Sequence, residues 1–111
     1  MDVDGAPPFL VNLPLPDRFE STTVIGKLEP NQRQINLVAI VLRKLGNPQK
    51  TREGHEIYSF KIADHTGSVT FNVWNITGQL ICTGDILRLQ NCITQVFRNE
   101  LCVKPGRSKT F

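Results

Sequence analysis

The feature that most constrains the fold of this chain is a series of five strand-like segments that begins after Gln34. Each segment is rich in β-branched and apolar residues, and turn-forming residues such as Gly46-Asn47-Pro48 and Thr83-Gly84-Asp85 separate them. The predicted strands are Ile35–Leu45, His55–Asp64, Ser68–Trp74, Ile86–Phe97 and Leu101–Lys104. Between the third and fourth strands, residues 75–81 are predicted to form a short helical turn.

Five strands, with a long first strand and a break before the fourth, match the OB-fold, a Greek-key barrel that binds oligonucleotides across its second and third strands. We therefore predict an all-β chain whose residues 24–111 form one five-stranded OB-fold barrel. Five of the seven prolines lie in the first 33 residues, so residues 1–23 are predicted to form a largely irregular arm. The apolar residues of the arm suit either a partner protein or the chain's own barrel.

The charge of the chain is unevenly distributed. Residues 1–33 hold three Lys or Arg against five Asp or Glu, whereas the rest of the chain holds ten against five. The predicted barrel is therefore basic, which favours a polyanionic partner such as nucleic acid.

Several other classes of protein are disfavoured. Cys82, Cys92 and Cys102 form no close pair, which predicts buried free thiols in a reducing compartment, with neither a disulfide framework nor a zinc site. No phosphate-binding loop, nucleophile elbow or metal-ligand spacing is present, so we expect no enzyme activity, no cofactor and no metal. The apolar stretch from Phe9 to Leu15 contains Pro14 and is too short to span a bilayer, so a membrane protein is not expected.

Trp74 is the main candidate for ligand binding. Alternation along the third strand places Val69, Phe71 and Val73 on the core face, and it places Trp74 on the opposite face with polar neighbours. A ring on that face is suited to stacking on a nucleic-acid base. The alternative is that Trp74 covers the mouth of the barrel or packs under the helical turn.

The remaining candidate residues frame this face. Phe97 lies at the predicted hairpin Arg98-Asn99-Glu100, where its ring either stacks on a base or packs in the core, whereas Tyr58 and Phe60 are predicted to be buried. Basic residues cluster in and before the loop between the first two strands and again after the hairpin. The predicted phosphate contacts are Arg43, Lys44, Lys50, Arg52, Lys104 and Arg107.

These residues also carry a family resemblance that extends roughly from residue 24 to residue 107. The chain resembles the single-stranded DNA-binding subunits of SOSS complexes, which are simple OB-folds related to replication protein A and to archaeal single-strand binders. The matching segments are Ile35-Asn36-Leu37-Val38-Ala39-Ile40-Val41-Leu42, Lys50-Thr51-Arg52-Glu53-Gly54-His55-Glu56, Ala63-Asp64-His65-Thr66-Gly67-Ser68, Val73-Trp74, Gly84-Asp85-Ile86-Leu87-Arg88-Leu89 and Val96-Phe97.

The resemblance implies a role for the chain. Trp74 and Phe97 match two positions that stack on DNA bases in the family, whereas Ile93 and Lys104 replace tyrosines at two others. It further implies single-stranded DNA binding with little sequence selectivity, in DNA repair and genome maintenance, within a nuclear complex that contains a helical scaffold protein and a small third subunit. Two alternatives stay open, namely an OB-fold module for protein interaction that has lost most nucleic-acid binding, and a binder of single-stranded RNA.

Overall fold

The computed structural model describes residues 10–11 and 22–106. Seven strands, one short helix and one 3₁₀ turn follow one another along the described chain. The strands are β1 (Leu10–Val11), β2 (Ile35–Lys44), β3 (Gln49–Lys50), β4 (Glu56–Asp64), β5 (Gly67–Trp74), β6 (Ile86–Phe97) and β7 (Glu100–Pro105). The 3₁₀ turn is Ile25–Lys27, and helix α1 is Asn75–Leu80.

The five long strands close into a barrel. β2 pairs antiparallel with β6 through residues 35–40 and with β4 through residues 40–44. β4 pairs antiparallel with β5, β5 pairs parallel with β7, and β7 pairs antiparallel with β6. These pairings close the sheet and confirm the predicted all-β OB-fold barrel. The bounds of its five strands differ from the predicted bounds by no more than one residue.

The long strand β6 can pair with both β2 and β7 of the barrel because it bends at Asn91. This residue has a positive φ of 57°, its N–H donates to Oδ1 of Asn36 at 3.0 Å, and its carbonyl accepts from the N–H of Gly106 at 2.9 Å. Residues 86–89 before the bend pair with β2, residues 93–97 after it pair with β7, and Cys92 next to the bend pairs with both. An irregularity of this kind lets a barrel strand turn a corner.

The barrel interior contains the side chains that alternation assigned to it. Val69, Phe71 and Val73 of β5 are buried, and so are Tyr58 and Phe60 of β4, which confirms the prediction for all five. Helix α1 packs against one end of this core, where a Cβ at Gly78 would lie 2.3 Å from ring carbons of Tyr58. Only glycine allows the helix to approach the ring so closely.

Part of the N-terminal arm folds back on the barrel. Leu10 and Val11 pair antiparallel with Leu89 and Arg88 of β6, so these two residues form a short strand within the arm that was predicted to be largely irregular. Thr23 also donates its N–H to the carbonyl of Asn36 at 2.8 Å, at the start of β2. The rest of the arm lies outside the described residues.

Neither helical segment of the described chain has the length and the apolar character that a membrane crossing requires.

Candidate nucleic-acid interface

A groove of about 390 Å³ crosses the outer face of the barrel, on the side of β4, β5 and β7 that points away from the core. The strands contribute its floor, and the loop after β2 and the hairpin between β6 and β7 contribute its walls. Its lining includes Ser59, Thr70, Asn72, Gln95, Cys102 and Lys104. The groove thus lies on the strands that the OB-fold uses for oligonucleotides.

Trp74 lies at one end of this groove. It is the last residue of β5 and the register partner of Ile57 on β4, and both side chains line the groove. Its side chain is half-buried, which leaves part of the indole accessible to a ligand. The structure therefore places Trp74 on the face that alternation predicted, outside the barrel core.

Phe97 lies on the hairpin wall of the groove. Its side chain is 49% exposed, which excludes the core packing that was the alternative for this ring. The Arg98 guanidinium lies 5.0 Å from the ring centroid, within the range of a cation–π contact. A phenyl ring with an arginine on one face offers a base both a stacking surface and a positive charge.

The hairpin that carries Phe97 is strained. Arg98 and Asn99 have φ values of 54° and 65°, as the two central residues of a type I′ turn require. Asn adopts this left-handed conformation readily, whereas Arg does so at a cost of about 1–2 kcal/mol. An unfavourable residue held at the rim of a groove is typical of functional sites.

The groove floor contains an acidic residue. Oε2 of Glu100 accepts a hydrogen bond from the Thr70 hydroxyl at 2.9 Å and lies 3.7 Å from Nζ of Lys61. Next to it, burial first and then the negative charge of Glu100 raise the pKa of the Cys102 thiol. The floor therefore combines a neutral thiol with a carboxylate that is only partly neutralised by Lys61.

The two positions at which the sequence lacks family tyrosines are adjacent. Ile93 of β6 and Lys104 of β7 are register partners, and Lys104 lines the groove. The two positions that lack an aromatic ring are therefore next to each other, and one of them carries the cationic side chain of Lys104.

The other residues that were predicted to contact phosphates lie on different sides of the sheet. Arg43 pairs with Lys61, which places it on the groove side of the sheet. Lys50 pairs with Glu56, so it points away from the face on which Gln49 and Ile57 line the groove. Arg52 is exposed in the hairpin loop between β3 and β4.

Lys44 also lies away from the groove. It pairs with the core residue Phe60, and its Nζ lies 5.2 Å from the centroid of the Tyr58 ring. The hydroxyl of Tyr58 donates to Glu56 at 3.0 Å, and burial followed by this bond raises the pKa of Tyr58. Lys44 and Lys50 thus belong to a separate group of side chains, and Arg107 lies outside the described residues.

Sequence reasoning missed Lys61, Arg98 and Glu100. Alternation along β4 places Lys61 on the same face as Ser59, so the signal for this residue was present. The other two depend on how the hairpin folds, because their positions follow from the pairing of Phe97 with Glu100.

The described residues contain no group of three or more His, Cys, Asp or Glu side chains that are placed to hold a metal ion. Cys92 and Cys102 are buried free thiols, as predicted, and burial raises the pKa of Cys92 to about 12. Cys82 is exposed, contrary to the prediction, because it begins the turn that Asp85 closes by accepting the Cys82 N–H at 2.8 Å.

Part of the sequence is similar to that of a single-stranded DNA binding protein. The chain is 30% identical over 88 residues to the single-stranded DNA binding protein Ssb of Saccharolobus solfataricus, an alignment that covers 78% of this chain and 59% of Ssb. The chain therefore spans less than two thirds of that relative. No family model matches the sequence.

Two solved structures share the fold. The second OB-fold domain of replication protein A from Methanococcus maripaludis superposes with a TM-score of 0.62 at 20% identity, over 78% of this chain and 90% of that domain. The OB domain of Ta0387 from Thermoplasma acidophilum gives a TM-score of 0.60 at 16% identity, over 76% and 77% of the two chains. Both similarities confirm that the chain is an OB-fold.

Proposed function

We propose that this protein binds single-stranded DNA in the groove between Trp74 and Phe97. The observation that carries the proposal is the placement of two accessible aromatic rings in one groove, on the ligand-binding face of an OB-fold. The similarity to a protein named as a single-stranded DNA binder supports the same ligand.

In the proposed mechanism, bases stack on the two rings and cationic side chains contact the phosphates. Stacking accepts any base because every base has a π-face, which accounts for the low sequence selectivity expected of most of the platform. Lys104 and Arg98 line the groove, and Arg43 and Lys61 lie on the same side of the sheet. The proposal assigns phosphate contacts to these four residues ahead of Lys44 and Lys50.

A titration of fluorescent oligo-dT by anisotropy tests the proposal. We expect Trp74→Ala and Phe97→Ala each to weaken binding by about 1–3 kcal/mol, because each removes one stacking surface. Ile76→Ala is the matched control, since Ile76 is an exposed apolar residue of α1 outside the groove lining. Trp74 is the single tryptophan of the chain, so quenching of its fluorescence on binding reports stacking directly.

Two results of this titration count against the proposal. Unchanged affinity of folded Trp74→Ala and Phe97→Ala proteins contradicts stacking, and the absence of salt-dependent binding by the wild-type protein favours a module for protein interaction. An oligo-rU of equal length tests the RNA alternative, which tighter binding of rU than of dT would support.

We further propose that the protein acts in DNA repair and genome maintenance in the nucleus, within a complex like SOSS that contains a helical scaffold protein and a small third subunit. The support is the family resemblance together with an apolar surface outside the groove. Ile40 and Ile86 are register partners on β2 and β6 and are 40% and 56% exposed. Microscopy of the tagged protein before and after DNA damage tests this role, with nuclear foci expected and an unchanged cytoplasmic signal opposing it.

A further inference from the structure

Glu100 is an unusual residue for a groove proposed to hold a polyanion. It lines the groove, and its side chain is 55% exposed in its contact with Lys61. A carboxylate repels phosphates, so its position on the floor suits a different part of the ligand, namely the hydrogen-bond donors on the edge of a base.

The carboxylate is held in place by its neighbours. Thr70 donates its hydroxyl to Oε2 at 2.9 Å, and Lys61 approaches the same oxygen at 3.7 Å. Thr70 is itself buried, so its hydroxyl is a fixed anchor. Oε2 is thereby oriented and keeps a second lone pair, while Oε1 has both of its lone pairs available, so the two oxygens can accept two donors of a ligand.

The position of Glu100 relative to Phe97 determines which part of a base it meets. The two are register partners at the ends of the β6–β7 hairpin, so their side chains project from the same face of the sheet. A base stacked on Phe97 therefore brings one of its edges toward the Glu100 carboxylate.

The four bases differ in the hydrogen-bond donors on their edges, and only one of them matches a carboxylate with two accepting oxygens. A carboxylate with two oxygens needs two adjacent donors, and guanine provides them as N1–H and the N2 amino group. Cytosine and adenine each place a ring-nitrogen acceptor beside their amino group, and thymine has a single N3–H between two carbonyls. From this geometry, and resting on the proposed single-strand binding, we infer that Glu100 makes the Phe97 end of the groove selective for guanine.

The inference is tested by measuring, by fluorescence anisotropy, the affinity for oligo-dT strands in which one central dT is replaced by another nucleotide. Each such strand is called a host, and the unsubstituted strand is the all-dT host. We expect the host with one dG to bind about tenfold more tightly than the all-dT host, the size of one good paired contact to a base. Deoxyinosine keeps N1–H and lacks the N2 amino group, so it should lose most of this gain, and dC and dA should bind no more tightly than inosine.

The variant Glu100→Gln should bind the dG host and the dT host equally, because an amide offers one acceptor and one donor in place of two acceptors. Glu53→Gln removes an equal charge from the exposed β3–β4 loop and should keep the dG preference. Equal binding of dG and dT hosts by the wild-type protein overturns the inference, as does a dG preference that survives in Glu100→Gln. Failure to bind either host contradicts the proposed function instead, and the wild-type series decides the inference even if Glu100→Gln does not fold.

Discussion

At the scale of single residues, the groove has fewer aromatic rings than the resemblance implies for a surface that stacks bases. Ile93 and Lys104 occupy adjacent positions where the resemblance expects two tyrosines, so only Trp74 and Phe97 offer accessible rings among the groove residues of the described chain. Each missing ring removes about 1–3 kcal/mol of potential stacking energy. The protein should therefore bind short single strands more weakly than a relative with four rings.

Restoring the rings tests this interpretation. Lys104→Tyr should strengthen binding of oligo-dT by about 1–3 kcal/mol at high salt, where stacking dominates, and should make the affinity less dependent on salt. Ile93→Tyr should leave the salt dependence unchanged, since no charge is lost. Anisotropy titrations at two salt concentrations measure both effects, and equal affinity of wild-type and Lys104→Tyr proteins at high salt would show that this part of the groove does not contact bases.

Arg98 should affect both the stability of the protein and the proposed DNA binding. Its left-handed conformation costs folding energy, and its guanidinium lies over Phe97 at the groove rim. We expect Arg98→Asn to raise the free energy of unfolding by about 0.5–1 kcal/mol, because Asn suits this turn position, and to weaken DNA binding. Urea denaturation and anisotropy measure the two effects. A variant that is no more stable than the wild type would mean that the turn stores no strain.

At the scale of structural elements, strand positions could be predicted well and side-chain neighbours across the groove could not. Alternation along β5 identified Phe71 as core and Trp74 as outward-facing because the pattern has a period of two within one strand. The two-residue strands β1 and β3 are too short to give such a pattern. The orientation of Lys50 depends on the pairing of β3 with β4, which is a contact between segments that no local pattern specifies.

Hydrogen bonds to the Asp64 carboxylate connect the turn between β4 and β5 with the 3₁₀ turn. Its carboxylate accepts the N–H of Ile25 at 2.8 Å and the N–H of Thr66 at 2.7 Å. Burial alone would raise the pKa of Asp64, but bonds from the Thr66 hydroxyl and from these two N–H groups outweigh it and hold the pKa below its usual value. A lowered pKa means that the charged form stabilises the fold above the usual Asp pKa and that this stabilisation is lost as the pH falls through the lowered value.

Asp64→Asn should therefore destabilise the protein by about 1–3 kcal/mol at neutral pH, since one charged acceptor is lost. The difference from the wild type should shrink in acid, as the pH falls through the lowered pKa of Asp64 and the wild-type carboxyl also loses its charge. Urea denaturation at neutral and at acidic pH measures it. Glu29→Gln, which alters an exposed carboxylate, should change stability by less than about 0.5 kcal/mol. A difference that stays constant with pH would contradict the role of the Asp64 charge.

At the scale of the whole molecule, the net charge of +3 does not show that the basic side chains lie on two different faces of the barrel. Arg43, Lys61, Arg98 and Lys104 lie on the groove side, and only Lys61 among these has its charge offset by Glu100 in a described ion pair. Lys44 and Lys50 lie on the other side, next to Tyr58 and Glu56. Net charge alone therefore predicts a polyanionic partner without saying where it binds, whereas the strand register shows which basic side chains share the groove face.

This division predicts the salt dependence of binding. Four phosphate contacts should give a slope of about −3 in a plot of log affinity against log salt, so affinity should fall about 50-fold between about 50 and 200 mM. Lys104→Ala should reduce the slope by about 0.7, because one released counterion is lost, whereas Lys50→Ala should leave it unchanged. Anisotropy titrations across this salt range compare the two variants. If Lys50→Ala reduces the slope as much as Lys104→Ala does, the DNA path must leave the groove and pass over the opposite face of the β3–β4 hairpin.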